Sequence, residues 1–301
     1  MRHTDGRRET AVVSQTRRRE THVDLRDRRR GTAVIPRSGK KGRKRRFRRR
    51  LFSLVLICVL ALAALMGTPL GSGLRNALAL GGSSARLQQY ARGHGLSASD
   101  YPEKLVELYE RNPETEQFVF EYPLMKDNPP SDDLSGLDTS SVPLLMQWDQ
   151  RWGYGQYAGN LFGLSGCGPT CLSMVAIYLT GDTSMTPRWM GEFASSHGYA
   201  VEGSGSAWAL FSEGGKELGF DVTEIPLDEE RILANLEVNN PIVAVMGPGD
   251  FTTTGHFIVL TGYENGKIRV NDPNNRGNSE KLWEFDRIQS QIRDLWVFRN
   301  L

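Results

Sequence analysis

"GHFIVLTGYENGKIRVNDP", Gly255–Pro273, reads as two strands joined by a tight turn. Phe257, Ile258, Val259 and Leu260 form an aromatic and β-branched run between two glycines. Asn265-Gly266 supplies the left-handed backbone that a two-residue hairpin turn requires. A second run, "KIRVND" (267–272), returns along the first. "PIVAVM" (241–246) and the closing "LWVFR" (295–299) have the same strand character, so the hairpin is expected to sit in an antiparallel sheet.

The open end of this hairpin carries polar groups. His256 begins the first strand, and Asn271-Asp272 ends the second. If Asn265-Gly266 is the whole turn, alternation puts His256 on the same face as Asn271. One extra residue, in a longer loop or a bulge, shifts the partner to Asp272. Alternation alone leaves both open, and either side chain can accept an imidazole N–H.

Upstream, "GLSGCGPTCLSMVAIYL" (163–179) places Cys167 between two glycines at the start of an expected helix. Pro169 fits only a first helical turn. Unpaired N–H groups at a helix start favour a thiolate, and the Cys167 N–H can help to hold an oxyanion. Gly166 and Gly168 are expected to clear room for a substrate backbone. Cys171 falls one turn later, in register with Met174/Val175 and Tyr178/Leu179, and reads as core. Two cysteines this close on a helix lack bridging geometry. Further helices are expected over about 206–218, ending at Gly219, and about 228–236, before Asn239-Asn240-Pro241. Helices first and a sheet after is an α+β order. Of the other histidines, His94 reads as a solvated turn residue and His197 as a helix end before Gly198.

Charge divides the chain. Residues 1–50 hold 20 Lys+Arg and 5 Asp+Glu; the remaining residues hold 17 and 30. A basic arm on an acidic body implies a polyanionic partner. Leu51–Leu74 carries no charge and begins with a strongly apolar block, which predicts a transmembrane helix. Ten Lys/Arg within Arg37–Arg50 precede it, so the N-terminus is expected in the cytoplasm, on acidic lipids, with the body outside. Nucleic acid is not expected, because no recognition motif accompanies the charge. A signal peptide cleaved after Ala77-Leu78-Ala79 is the rival reading. The expected layout is a disordered basic tail (1–50), a signal-anchor helix (51–72), a helical stalk and linker (82–140), and a catalytic domain (141–301). "DYPEKLVELYERNPE" (100–114) is a stalk helix stopped at Asn112-Pro113.

Cysteine at a helix start, histidine opening a later strand and aspartate at that strand's partner resemble the papain-like cysteine peptidases. "VPLLMQWDQRWG", "SGCGPTCLSMV", the hairpin stretch and the closing "LWVF" resemble the peptidase C39-like family over about residues 142–298. That resemblance implies an α+β peptidase domain with a catalytic triad at Cys167, His256 and Asp272. It also implies an oxyanion-hole donor at Gln147. Gln147 stands further from the cysteine than in the family's transporter peptidases, which calls for an insertion between them. The chain carries no transporter segment, so leader-peptide cleavage at double-glycine sites is not implied. The expected substrate is a peptide or protein, with a cell-wall peptide and amidase chemistry as the alternative, or a non-catalytic binding module on the same fold. No cofactor or metal is expected.

Overall fold

The structure is a computed structural model and describes residues 82–301. The expected basic tail (1–50) and membrane span (51–72), with Cys58, lie outside the described residues. Among the described residues no helix is long and apolar enough to cross a membrane.

A six-stranded antiparallel sheet forms the centre. Its strands are β1 (Phe220–Glu224), β2 (Ile242–Met246), β3 (His256–Glu264), β4 (Lys267–Asn271), β5 (Leu282–Trp283) and β6 (Ile292–Asn300), in the spatial order β1-β6-β2-β3-β4-β5. Strand β6 contains the expected closing run and lies inside the sheet, between β1 and β2. Its Val297 and Phe298 are fully buried, and an interior strand buries both faces.

Successive side chains on these strands enter two different cores. Val243, Val245, Phe257, Val259 and Phe298 pack with Cys171, Met174 and Val175 of the cysteine helix, α4 (Cys167–Thr180). Ile242, Ala244, Ile258, Leu260 and Val270 pack with Ile232 and Leu236 of α6 (Glu229–Glu237). Period-two alternation across a sheet covered on both faces explains the near-continuous apolar runs. Asp228 caps α6 by accepting from the Arg231 N–H. Helix α5 (Pro187–Ser196) packs beside α4; Thr186 caps its start and His197 ends it before Gly198 at φ +79°.

The helix expected over 206–218 is instead three short pieces. Gly205–Ser206 pairs with Ala200–Val201, and single helical turns follow at Ala209–Ser212 and Gly214–Glu217. Gly214-Gly215 weakens a continuous helix. A Cβ at Gly215 would lie 2.7 Å from the Phe298 ring, so the glycine lets this turn lie directly on the sheet.

The expected stalk is α1 (82–93), α2 (Glu103–Arg111) and α3 (Glu116–Met125). Leu105, Leu108 and Tyr109 lie on one buried face of α2, as their spacing predicts. They join Leu87, Phe118 and Phe120 in a third core that includes Tyr154 and Leu161 of the following region. These helices therefore pack on the domain that follows them.

Candidate active site

Cys167 is the first residue of α4 and is partly exposed. At that position its backbone N–H stands outside the intrahelical ladder. Cys171 is fully buried in the core, and both cysteines are free. Burial pushes the Cys171 thiol well above its ordinary range, with the charges of Cys167 and Asp272 adding to the shift.

The flanking glycines serve a different end from the one expected. A Cβ at Gly166 would lie 2.4 Å from the Phe162 ring, and one at Gly168 would lie 2.2 Å from Ser206 Oγ. Both spaces are filled by the protein itself. The glycines let the helix start pack against neighbouring segments; they do not clear a substrate channel.

The hairpin supplies the second and third groups. Glu264 pairs with Lys267 across Asn265-Gly266, which is the simple two-residue turn. Between Leu260 and Gly262 the register shifts: Gly262 faces Arg269, but Leu260 faces Val270. Thr261 is the extra residue of this bulge. It moves the parity so that Asp272, not Asn271, falls on the side of His256. His256 Nε2 lies 2.8 Å from Asp272 Oδ1. Asn271 turns away and donates from Nδ2 to the Val142 and Pro143 carbonyls.

His256 and Asp272 are both buried, at 8 % and 0 % exposure. Burial alone lowers the imidazole pKa. The Asp272 charge and hydrogen bond, with a weaker hydrogen bond and charge from Cys167, outweigh it and raise His256 to about 10. Burial alone raises the Asp272 carboxyl. The His256 charge, the His256 and Asn278 hydrogen bonds and the Asn274 N–H hold it below its ordinary value. With Nε2 engaged by Asp272, Nδ1 is the ring nitrogen left to meet the Cys167 thiol.

Asp272 sits in a cradle of donors. Its Oδ1 accepts from the Asn274 and Asn275 N–H groups at 2.9 and 3.2 Å, and its Oδ2 accepts from Asn278 Nδ2 at 2.8 Å. Asn278 is held in turn: its N–H donates to Asn275 Oδ1, and its carbonyl accepts from Trp283 Nε1. Sequence reading did not single out Asn278. The signal available was the "DPNN" turn followed by polar residues in a short helical turn, Arg276–Ser279.

Gln147 is buried and lies between the two halves of this site. Its backbone N–H donates to the Pro273 carbonyl at 2.8 Å, and its Nε2 donates to the Gly163 carbonyl at 2.9 Å. An amide nitrogen carries two hydrogens, so one remains for another acceptor. Gln147 Oε1 is buried without a partner. The residues separating Gln147 from Cys167 form a turn over Asp149–Gly153, a small hairpin (Gln156–Tyr157 with Asn160–Leu161) and a helical turn (Phe162–Ser165). Trp152 beside Gln147 is buried packing, and Trp148 donates from Nε1 to the Asn274 carbonyl. His94 is exposed and stacks on Tyr90; His197 lies 4.0 Å from Glu217. Neither contributes to the Cys167 site. Among the described residues, no group of three or more His, Cys, Asp or Glu side chains could hold a metal ion.

Comparison with known proteins gives the lineage. The peptidase domain of Streptococcus ComA, a bi-functional ABC transporter involved in a quorum sensing pathway, is similar at 19% identity. The match covers 46% of this chain and 93% of that one, with a TM-score of 0.37. A C39-like peptidase structure from Bacillus anthracis is similar at 17% identity over 54% of this chain and 96% of that one, with a TM-score of 0.33. No curated protein matches. The model of the Peptidase_C39 like family matches residues 139–298, more than half the chain and every strand of the central sheet but the last two residues of β6. The chain belongs to the Peptidase_C39 like family.

Proposed function

We propose that the chain is a cysteine peptidase that hydrolyses peptide bonds through a thioacyl-enzyme, with Cys167 as nucleophile, His256 as acid and base, and Asp272 as its orienter. The observation that carries this reading is the buried His256–Asp272 pair, bonded at 2.8 Å and coupled to Cys167 at a helix start. Family membership supports the reaction class.

Cys167 passes its proton to His256 Nδ1, and the thiolate attacks the substrate carbonyl carbon. The oxyanion that forms accepts from the Cys167 N–H and the second Nε2 hydrogen of Gln147. The imidazolium gives its proton to the leaving amine, and the C–N bond breaks. Water then attacks the thioester carbonyl while His256 takes its proton. Collapse returns the proton to Cys167 and releases the acid. Asp272 stays ionised throughout and fixes the ring with Nδ1 toward sulfur.

In this reading residues 51–72 anchor the enzyme in a membrane and the peptidase domain lies outside the cytoplasm. The apolar block and the basic run before it support that placement. The test is labelling by an electrophilic cysteine probe, followed by profiling against a peptide library and purified peptidoglycan. Cys167→Ala should abolish labelling and turnover. Undiminished labelling of Cys167→Ala would remove the nucleophile assignment, and a wild-type chain inert to both substrates would remove the enzyme reading.

A further inference from the structure

One anchor of the cradle around Asp272 lies outside the segment that the family model matches. Its two backbone donors belong to consecutive peptide groups, each held at its carbonyl end. The Asn274 N–H shares a planar group with the Pro273 carbonyl, which accepts from the Gln147 N–H at 2.8 Å. The Asn275 N–H shares its plane with the Asn274 carbonyl. That oxygen accepts from Asn112 Nδ2 at 2.6 Å and from Trp148 Nε1 at 3.0 Å. A peptide group is rigid, so fixing its oxygen fixes the direction of its N–H. Hydrogen bonds accepted by the carbonyl also polarise the N–H into a stronger donor.

Asn112 belongs to the helical region before the family-matched segment 139–298. It is 8 % exposed and is held by its own backbone. Its N–H closes α2 onto the Leu108 carbonyl, and its carbonyl accepts from both the N–H and the hydroxyl of Thr115. Two residues on, Glu114 Oε1 accepts from the Arg276 N–H at 2.8 Å, on the far side of the same turn. The sequence assigned Asn112-Pro113 only the role of stopping a helix. Its side chain instead crosses to the Asp272 turn.

We infer that Asn112 is a positioning residue for the candidate triad. It acts through the Asn274–Asn275 peptide group to hold Asp272 against His256, so the helices over 82–125 are part of the functional unit. This rests on the peptidase reading above. Loss of the Asn112 bond loosens the Asp272 contact with the imidazolium and makes the thiolate–imidazolium pair harder to form. Thiolate then appears only at higher pH.

The test needs no known substrate. The full chain is alkylated with iodoacetamide across a pH series, and the rate at Cys167 is followed by peptide mass spectrometry. In the wild type the alkylation rate should rise with pH along a limb that reports the Cys167 thiolate. Its absence would count against the peptidase reading and hence against this inference. Asn112→Ala should move that limb up by about half a unit or more, a loss of roughly three-fold or more in thiolate at a pH on the limb. Trp148→Phe, which removes the other donor to the same carbonyl, should move it in the same direction. Leu108→Val loosens the same helix without touching the bond and should leave the limb in place. An unshifted limb in Asn112→Ala overturns the inference. So does an equal shift in Leu108→Val, which would mark general packing as the cause.

Discussion

Gly168→Ala separates internal packing from substrate access at the helix start. An alanine is the better helix former by roughly 1 kcal/mol. Against that, its Cβ would lie 2.2 Å from Ser206 Oγ and 2.7 Å from Ser206 Cβ. Ser206 is paired to the Ala200 strand, and its hydroxyl lies 2.7 Å from the buried Tyr157 hydroxyl, so it has little freedom to withdraw. Overpacking of this kind costs about 1–3 kcal/mol. Displacing Ser206 would strand the Tyr157 hydroxyl, for about 1–3 kcal/mol more. After the propensity gain the net loss is roughly 3 kcal/mol. For a folded region of this size that corresponds to about 6–12 °C in Tm. The assay is thermal unfolding, followed by tryptophan fluorescence, of wild type, Gly168→Ala, Ser206→Gly and the double variant. Ser206→Gly removes both clashing atoms, so in its background Gly168→Ala should cost little or nothing. The expected coupling is about 3 kcal/mol in favour of the pair. A Gly168→Ala chain as stable as wild type, or strictly additive losses, would refute the packing argument.

Stability should also depend on pH through the His256–Asp272 pair. His256 is raised from 6.5 to about 10, so its contribution is complete below about pH 6.5 and is lost as pH climbs through 10. Asp272 is lowered from 3.8, so its contribution is present above that value and is lost as pH falls through the folded-state pKa. Urea midpoints should therefore be highest between about pH 4 and 6.5, and Asp272→Asn should flatten the alkaline fall; an unchanged slope in that variant would refute the pairing. Asn271→Ala leaves the Val142 and Pro143 carbonyls without their shared donor, which should cost about 1–3 kcal/mol. The same variant should leave the pH dependence of Cys167 alkylation unchanged; a shifted limb there would return Asn271 to contention as the orienter.

What the sequence made legible was local. Asn265-Gly266 has one good structural use, and it makes the turn expected of it. Cys171 falls on the core stripe that its spacing with Met174 and Val175 requires, and His197 ends a helix before a left-handed glycine. What escaped depends on neighbours far along the chain. Thr261 suits a regular strand as well as a bulge, so nothing local marks it as the extra residue. The strand around Leu295–Arg299 is as apolar inside a sheet as at its edge, and only pairing order distinguishes the two. Gly166 and Gly168 announce a need for space but not its occupant, which proved to be Phe162 and Ser206. Asn112 and Asn278 resemble ordinary turn and cap residues until the fold brings them to residues 272–275.

The unpaired Thr261 acts as a phase setting for the whole hairpin. Asn271 and Asp272 stand side by side, and each would face the imidazole in one of the two phases. One inserted residue, ten positions before the nearer of them, decides which side chain meets His256 and which ties the entering segment at Val142 and Pro143. A chain of the same design without that insertion would need its carboxylate one position earlier. Homologous hairpins are therefore matched by the phase of their strands, with residue identity read only after the bulge is counted.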